Sequence, residues 1–362
     1  MIKRITILLM LAALVVAPLG TILSSPEGLG QVKDLESLEE YLQDNFWERQ
    51  PLIDLARWFQ LTGGLVERND VFYSEEGLIE DFQPEDPYAA STVNTREIIH
   101  FSESNSCPVA LVLIPTARAV KQEQVPAFLV DKGFNQKTFI DDSYRGMAGY
   151  VTTVDAYAAL LPHRNEYIYY RTDTNPTAYG GYLIYQELAR RLRFTPVGME
   201  ELRQEHLEHN YLGNLYDRWG YGGVEPDILT AYRLQEDVGY RVTHRGGRPR
   251  SYFTLYPQYK LQSQDPYALY LGGISPWIDL ETSGLRRDDS LLVFGDRATV
   301  SYLPLLTSHY QSITFIDLSQ ITTTQLESLD LSQYDQVLFS YSVDTYVTDD
   351  SLQKLAVLSG EG

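Results

Sequence analysis

The run Val109-Ala-Leu-Val-Leu-Ile, ending at Pro115, constrains the fold more than any other stretch of this chain. A strand with one wet face alternates polar and apolar residues. An unbroken apolar run has both faces covered, as a central strand of a parallel sheet does. Leu291-Leu-Val-Phe repeats the pattern, and Ile313-Thr-Phe-Ile-Asp and Gln336-Val-Leu-Phe-Ser follow at strand–helix intervals. Tyr179 to Leu192 reads as a helix, and Asn94 to Phe101 as a helix leading into the strand at 109–114. These segments predict an open α/β sheet with helices on both faces. The strands 109–114, 291–294 and 313–317 should run parallel in it, with 334–340 beside them or at its edge.

Other segments are read more locally. Glu166-Tyr-Ile-Tyr-Tyr-Arg-Thr-Asp alternates and predicts a further strand at 166–170. Asn69-Asp-Val-Phe-Tyr-Ser-Glu-Glu-Gly-Leu-Ile predicts a short hairpin turning near Glu76-Gly77. Residues 205–285 are rich in Gly, Tyr, Arg and Asp and predict an irregular insertion with short antiparallel strands. Within it His206 and His209, beside Glu205 and Glu208, are three residues apart. On a helix they could form a ligand pair, but a solvated charged helix is the plainer reading, and no histidine spacing marks a metal site. Cys107 is the only cysteine, so an intrachain disulfide and a thiolate zinc cluster are excluded. It reads as a buried small hydrophobe.

The N-terminus reads as an export signal. Met1-Ile-Lys-Arg is basic, and Ile5 to Leu23 is then free of charge and mostly apolar. Residues 1–23 therefore predict either a single membrane anchor or a cleaved signal peptide, with the rest of the chain outside the cytoplasm. Residues 24–33 read as a linker and 34–68 as an amphipathic helical arm, leaving 69–362 for the main domain. The formal net charge of -20 opposes binding to nucleic acid or anionic lipid and suits an extracellular surface. The 27 tyrosines read chiefly as core and strand residues, with sugar contact as the alternative.

In an open α/β sheet the working residues gather at the carboxyl ends of the strands. Three stretches should arrive there: Arg171-Thr-Asp-Thr-Asn-Pro-Thr, Leu271-Gly-Gly-Ile, and Phe294-Gly-Asp-Arg. In the last, Gly295 permits a close turn and Asp296 can accept backbone amides at the start of the next helix. The turn then presents Arg297. Arginine has no lone pair with which to attack and stays charged at ordinary pH.

In order along the chain, several segments resemble the bacterial DHHW family, exported relatives of the alginate O-acetyltransferases in the SGNH hydrolase superfamily. They are Tyr41-Leu-Gln-Asp-Asn-Phe-Trp-Glu-Arg-Gln, Asn69-Asp-Val-Phe-Tyr, Ile114-Pro-Thr, Tyr169-Tyr-Arg-Thr-Asp-Thr-Asn-Pro-Thr, Asn210-Tyr-Leu-Gly-Asn-Leu-Tyr and Asp265-Pro-Tyr-Ala-Leu-Tyr-Leu-Gly-Gly. The resemblance implies an SGNH-like sheet and a site built of an aspartate, a histidine two residues later, a serine after Gly-Asp and an oxyanion donor after Gly-Gly. Carried over position by position, Asp173 matches the aspartate. Asn175 takes the histidine position, Arg297 the serine and Ile274 the oxyanion donor, while Pro176 stands at the family's tryptophan. Asparagine cannot accept the proton and isoleucine cannot donate to an oxyanion, so three roles are empty together.

The reading that follows is a catalytically inactive, SGNH-like envelope protein. It would bind an envelope polysaccharide or a cell-envelope protein through Arg171, Asp173, Asn175, Asp296 and Arg297, with no cofactor, metal or nucleic acid. One alternative is an active O-acetyltransferase or esterase with a displaced nucleophile, Ser301 or Thr299, although both read as helix-surface residues. A second alternative is a scaffold with a filled cleft.

Overall fold

The computed structural model describes residues 67–362, apart from 75, 126–132, 221, 235–237, 285–287 and 360–362. The expected anchor, the linker and all but the last two residues of the arm lie outside the described residues. Among those described, no helix is long and apolar enough to cross a membrane.

The described residues open with a small antiparallel sheet of β1 (Glu67–Arg68), β2 (Val71–Ser74) and β3 (Gly77–Glu80). Asn69 and Asp70 have φ of 50° and 57°, the left-handed pair that a two-residue turn between β1 and β2 requires. Then come α1 (Ala89–Ser104), β4 (Val109–Ile114), α2 (Gln136–Gly146), β5 (Thr152–Val154) and α3 (Ala178–Leu192). β6 (Leu202–Tyr211) and β7 (Asp227–Leu234) pair as an antiparallel ribbon. The remaining strands are β8 (Gly239–His244), β9 (Arg250–Tyr252), β10 (Trp277–Ser283), β11 (Ser290–Gly295), β12 (Ser312–Ile316) and β13 (Gln336–Ser342).

The main sheet has eight strands in the order β5-β4-β13-β11-β12-β10-β8-β9. The first five are parallel and the last three antiparallel. The four predicted parallel strands lie together, as their apolar runs require. β13 is not at their edge but between β4 and β11. Every residue of β4 and β11 is buried. Phe101 of α1 packs edge-on against Phe294 and Phe339, which stack on each other at 5.1 Å.

Four expectations need correction. Residues 166–170 are not a strand: they make one bridge, Tyr169 to Pro176, and their alternation comes from tyrosines entering the core. The stretch 205–285 holds antiparallel strands, as expected, but much of it joins regular sheet and is not irregular insertion. Its first part is the β6–β7 ribbon, and β8 to β10 extend the main sheet. His206 and His209 lie on β6 and not on a helix, and His206 Nδ1 meets Thr230 Oγ1 directly across the ribbon at 2.9 Å. Cys107 is only half-buried, and its Sγ donates to the Tyr334 carbonyl at 3.0 Å.

The start of α3 shows how closely the layers pack near the site. Thr177 caps it, accepting from the Gly180 amide at 3.1 Å. A Cβ on Gly181 would lie 2.4 Å from the Ser301 carbonyl oxygen, so only glycine lets α3 press onto the turn after β11.

Candidate functional site

The site is built at the carboxyl end of β11. A Cβ on Gly295 would meet Thr299 Oγ1 at 2.6 Å and the Ser340 carbonyl at 2.8 Å, so the turn can be this tight only with glycine. Asp296 then caps the 3-10 turn Arg297–Ser301: its Oδ1 accepts from the Ala298 amide at 3.0 Å. Its Oδ2 accepts from the Ser342 amide at 2.8 Å and the Ser342 hydroxyl at 2.6 Å, tying the turn to the end of β13. Burial, and after it the charge of Asp344, pushes the Asp296 carboxyl up to about 6 against the pull of the Ser342 hydrogen bonds.

Arg297 follows at the first position of that turn. Its Nη1 and Nη2 donate to Asp265 Oδ2 and Oδ1 at 2.6 and 2.8 Å, a two-pronged contact that suits a planar guanidinium. The same group lies 4.3 Å from the centre of the Tyr267 ring. Asp265 also caps the turn Pro266–Leu269, accepting from the Tyr267 amide at 3.1 Å. Burial alone would raise the Asp265 carboxyl, but Arg297 outweighs it and holds the group below its usual range. The side chains are 33% and 48% exposed, so the pair is a clamp at the rim and not a buried ion pair.

Asp173 is the obvious acid to meet Arg297, but its carboxylate is already engaged. It accepts from the Asn175 amide at 2.9 Å, Asn175 Nδ2 at 2.5 Å, the Tyr211 hydroxyl at 2.5 Å and the Asn214 amide at 3.3 Å. It acts on Arg297 only through its charge, which helps keep the guanidinium protonated. The loop that carries Asp173 hangs on Asp227, a residue with no mark in the sequence. Fully buried, Asp227 accepts from the amides of Arg171 and Thr172 at 2.7 and 2.8 Å, from Thr172 Oγ1 at 2.5 Å and from the Tyr167 hydroxyl.

A cavity of about 310 Å³ opens beside this turn, at the ends of β11, β12 and β13. Asn175, Asp296 and Arg297 line it; Arg171, Asp173 and Ile274 do not. Arg171 lies over the Tyr167 ring, 3.7 Å from Glu225. Ile274 packs, half-buried, against the hydrophobic core. The cavity also draws on Asp317, Tyr341, Asp344 and Asp349, which carry no motif and come together only through the topology.

Ser301 and Thr299 are not helix-surface residues, as expected from the sequence, but are buried. The Ser301 hydroxyl donates to the Ala298 carbonyl at 2.8 Å, and Thr299 Oγ1 to the carbonyl and hydroxyl of Ser340, both at 2.9 Å.

A partly parallel sheet with flanking helices and a Gly-Asp turn at the end of a central strand is an SGNH-like arrangement. The chain belongs to the DHHW family, whose pattern, described as DHHW protein, matches residues 85–316. Among solved structures, a DHHW family protein from Eubacterium siraeum is similar with 18% identity and a TM-score of 0.66, over 80% of this chain and 96% of that one. PatB1 of Bacillus cereus bearing a sulfonyl adduct is similar with 13% identity and a TM-score of 0.64, over 78% and 97%. At these identities the likeness establishes the fold. No curated protein sequence matches the chain.

Proposed function

We propose that this chain is a non-catalytic member of its family that stands outside the cytoplasm and binds an envelope glycan or envelope protein in the cleft beside Arg297. One observation carries the reading. The residue displayed by the Gly-Asp turn is an arginine held by both carboxylate oxygens of Asp265. A nucleophile must be free, with a base beside it. Arg297 is neither nucleophilic nor free. Asn175 keeps a hydrogen bond to Asp173, as an orienting pair would, but its amide cannot take a proton. The alternative nucleophiles argue the same way: the Ser301 and Thr299 hydroxyls are spent on local backbone and on Ser340. The open cavity favours binding over a filled, purely structural cleft.

The structure of the Bacillus cereus relative carries a sulfonyl adduct, and the same class of reagent tests the reading here. The purified chain, treated with a sulfonyl fluoride, should gain no adduct in the cleft by intact-mass and peptide analysis. It should not hydrolyse an acetyl ester, and Arg297→Ser alone should not confer turnover. An adduct on Ser301 or Thr299, or turnover lost on replacing either, would instead establish an active enzyme with a displaced nucleophile.

A further inference from the structure

We infer that the cavity at the ends of β11, β12 and β13 takes a protonated primary amine carried on a polyhydroxylated ring: an amino-sugar unit of a glycan whose nitrogen is not acylated. This rests on the binding reading above and names the ligand class of the same cleft.

Four carboxyl groups line the cavity, those of Asp296, Asp317, Asp344 and Asp349. The one cation in its lining, Arg297, is committed to Asp265. Cations nearby are committed as well. Lys354 Nζ donates to the carbonyls of Leu318 and Ile321 at 2.6 and 2.9 Å, and Arg218 holds Glu80. No ion pair to the four acids occurs among the described residues.

A second observation is independent of the charge. Tyr341 is 3% exposed, lines the cavity, and its hydroxyl has no hydrogen-bond partner. A buried hydroxyl is ordinarily satisfied, so an unpaired one in the wall of a cavity marks a place for a ligand group. Burial opposes its ionisation, and then the charges of Asp296, Asp317 and Asp349 do, which places those carboxylates around it. An ammonium group can donate to several carboxylates and to a phenolic oxygen at once.

The kind of cation follows from the walls. Among the described residues no three acids, histidines or cysteines gather closely enough to hold a metal ion. A lysine side chain would need apolar surface for its methylene stem. The lining offers no leucine, isoleucine, valine or methionine; beside the acids it presents hydroxyls such as Ser319, Ser342, Thr345 and Ser351, with Asn175 and Ala298. Hydroxyls suit a sugar ring, and the volume is at the small end for a ligand site.

The experiment is calorimetric titration of the purified full chain with a glucosamine tetramer, its N-acetylated counterpart and a lysine-containing peptide. The glucosamine tetramer should bind at least tenfold more tightly than the other two. Asp349→Asn should weaken it severalfold, as should Tyr341→Phe, which removes one unpaired oxygen and leaves the fold intact by thermal melting. Equal binding of the acetylated tetramer would overturn the ammonium inference while leaving a glycan-binding cleft. Preference for the peptide would overturn the glycan assignment. Failure of both tetramers to bind would overturn the inference outright, while the adduct and esterase assays decide separately whether the cleft is catalytic.

Discussion

The two walls of the cleft, taken with the residues that hold them from behind, differ in how far they satisfy themselves. On one wall, Asp227 holds the 171–175 loop, Asp173 holds Asn175 and Tyr211, and Asp265 holds Arg297. Each carboxylate there has its donors from the protein. On the other wall, Asp317 and Asp349 have local hydrogen bonds but no cation, and the Tyr341 hydroxyl has none at all. A closed network of this kind fixes geometry, while an open one leaves free energy available to a ligand. On the proposed reading, binding falls at the wall lined by Asp317, Asp349 and Tyr341.

Replacing Asp227 should break the closed wall most severely. Asp227→Ala strands several buried donors and should cost about 3 kcal/mol or more, read as a lowered urea midpoint with an unchanged slope. A loss within about 0.5 kcal/mol would mean that the loop holds without it.

Acidity should separate Asp296 from Asp265 by sign. The folded chain holds the Asp296 proton more tightly than the unfolded chain, since burial raises this group from 3.8 to about 6. That contribution is complete below about pH 4 and is lost as pH rises through 6, by at most about 3 kcal/mol. Asp227, Asp344 and Glu80 are pushed the same way by burial. Asp296→Asn should therefore flatten the fall in stability between pH 4 and 7 without abolishing it. Asp265 is held low, so its share is present above its ordinary range and disappears as pH drops through the lowered value. A slope unchanged by Asp296→Asn would contradict the burial argument.

The Arg297–Asp265 clamp is smaller in effect because it is part-exposed. A double-mutant cycle of Arg297→Ala and Asp265→Ala should give a coupling of about 1 kcal/mol. Pairing Arg297→Ala with Asp173→Ala should give less, since those two side chains share charge but no hydrogen bond. The reverse order would make Asp173, and not Asp265, the main partner of Arg297.

What the sequence disclosed follows the range of the forces involved. β4, β11 and β13 were legible because burial on both faces leaves an unbroken apolar run within each strand, and β12 because only Thr314 interrupts its run. The Gly295-Asp296 turn was legible because a tight turn and a cap are local needs. The segment 166–170 misled because its alternating tyrosines fill the core, with Tyr169 donating to the Pro115 carbonyl, and not because they belong to a ladder. The addition of β8 to β10 to the main sheet depends on register with distant strands, which no local pattern records. The partner of Arg297 lies 32 residues away, and Asp227 lies 55 from Thr172. Asp265 stands within a family-like stretch, and its Asp-Pro pair could have signalled a cap, though not an arginine clamp. Asp317, Asp344 and Asp349 carry no pattern at all; only the parallel topology brings them to one cavity.

The most direct test compares two buried tyrosines. Tyr211 donates to Asp173 on the closed wall, and Tyr341 has no partner on the open one. Urea unfolding of the two phenylalanine variants without ligand should show Tyr211→Phe losing about 1–3 kcal/mol, because a hydrogen bond to a charged group is removed. Tyr341→Phe should lose less than about 0.5 kcal/mol or gain slightly, since no hydrogen bond is broken and a buried polar group is relieved. Equal losses, or a larger loss at Tyr341, would show that the open wall is already satisfied and would contradict its assignment as the ligand side of the cleft.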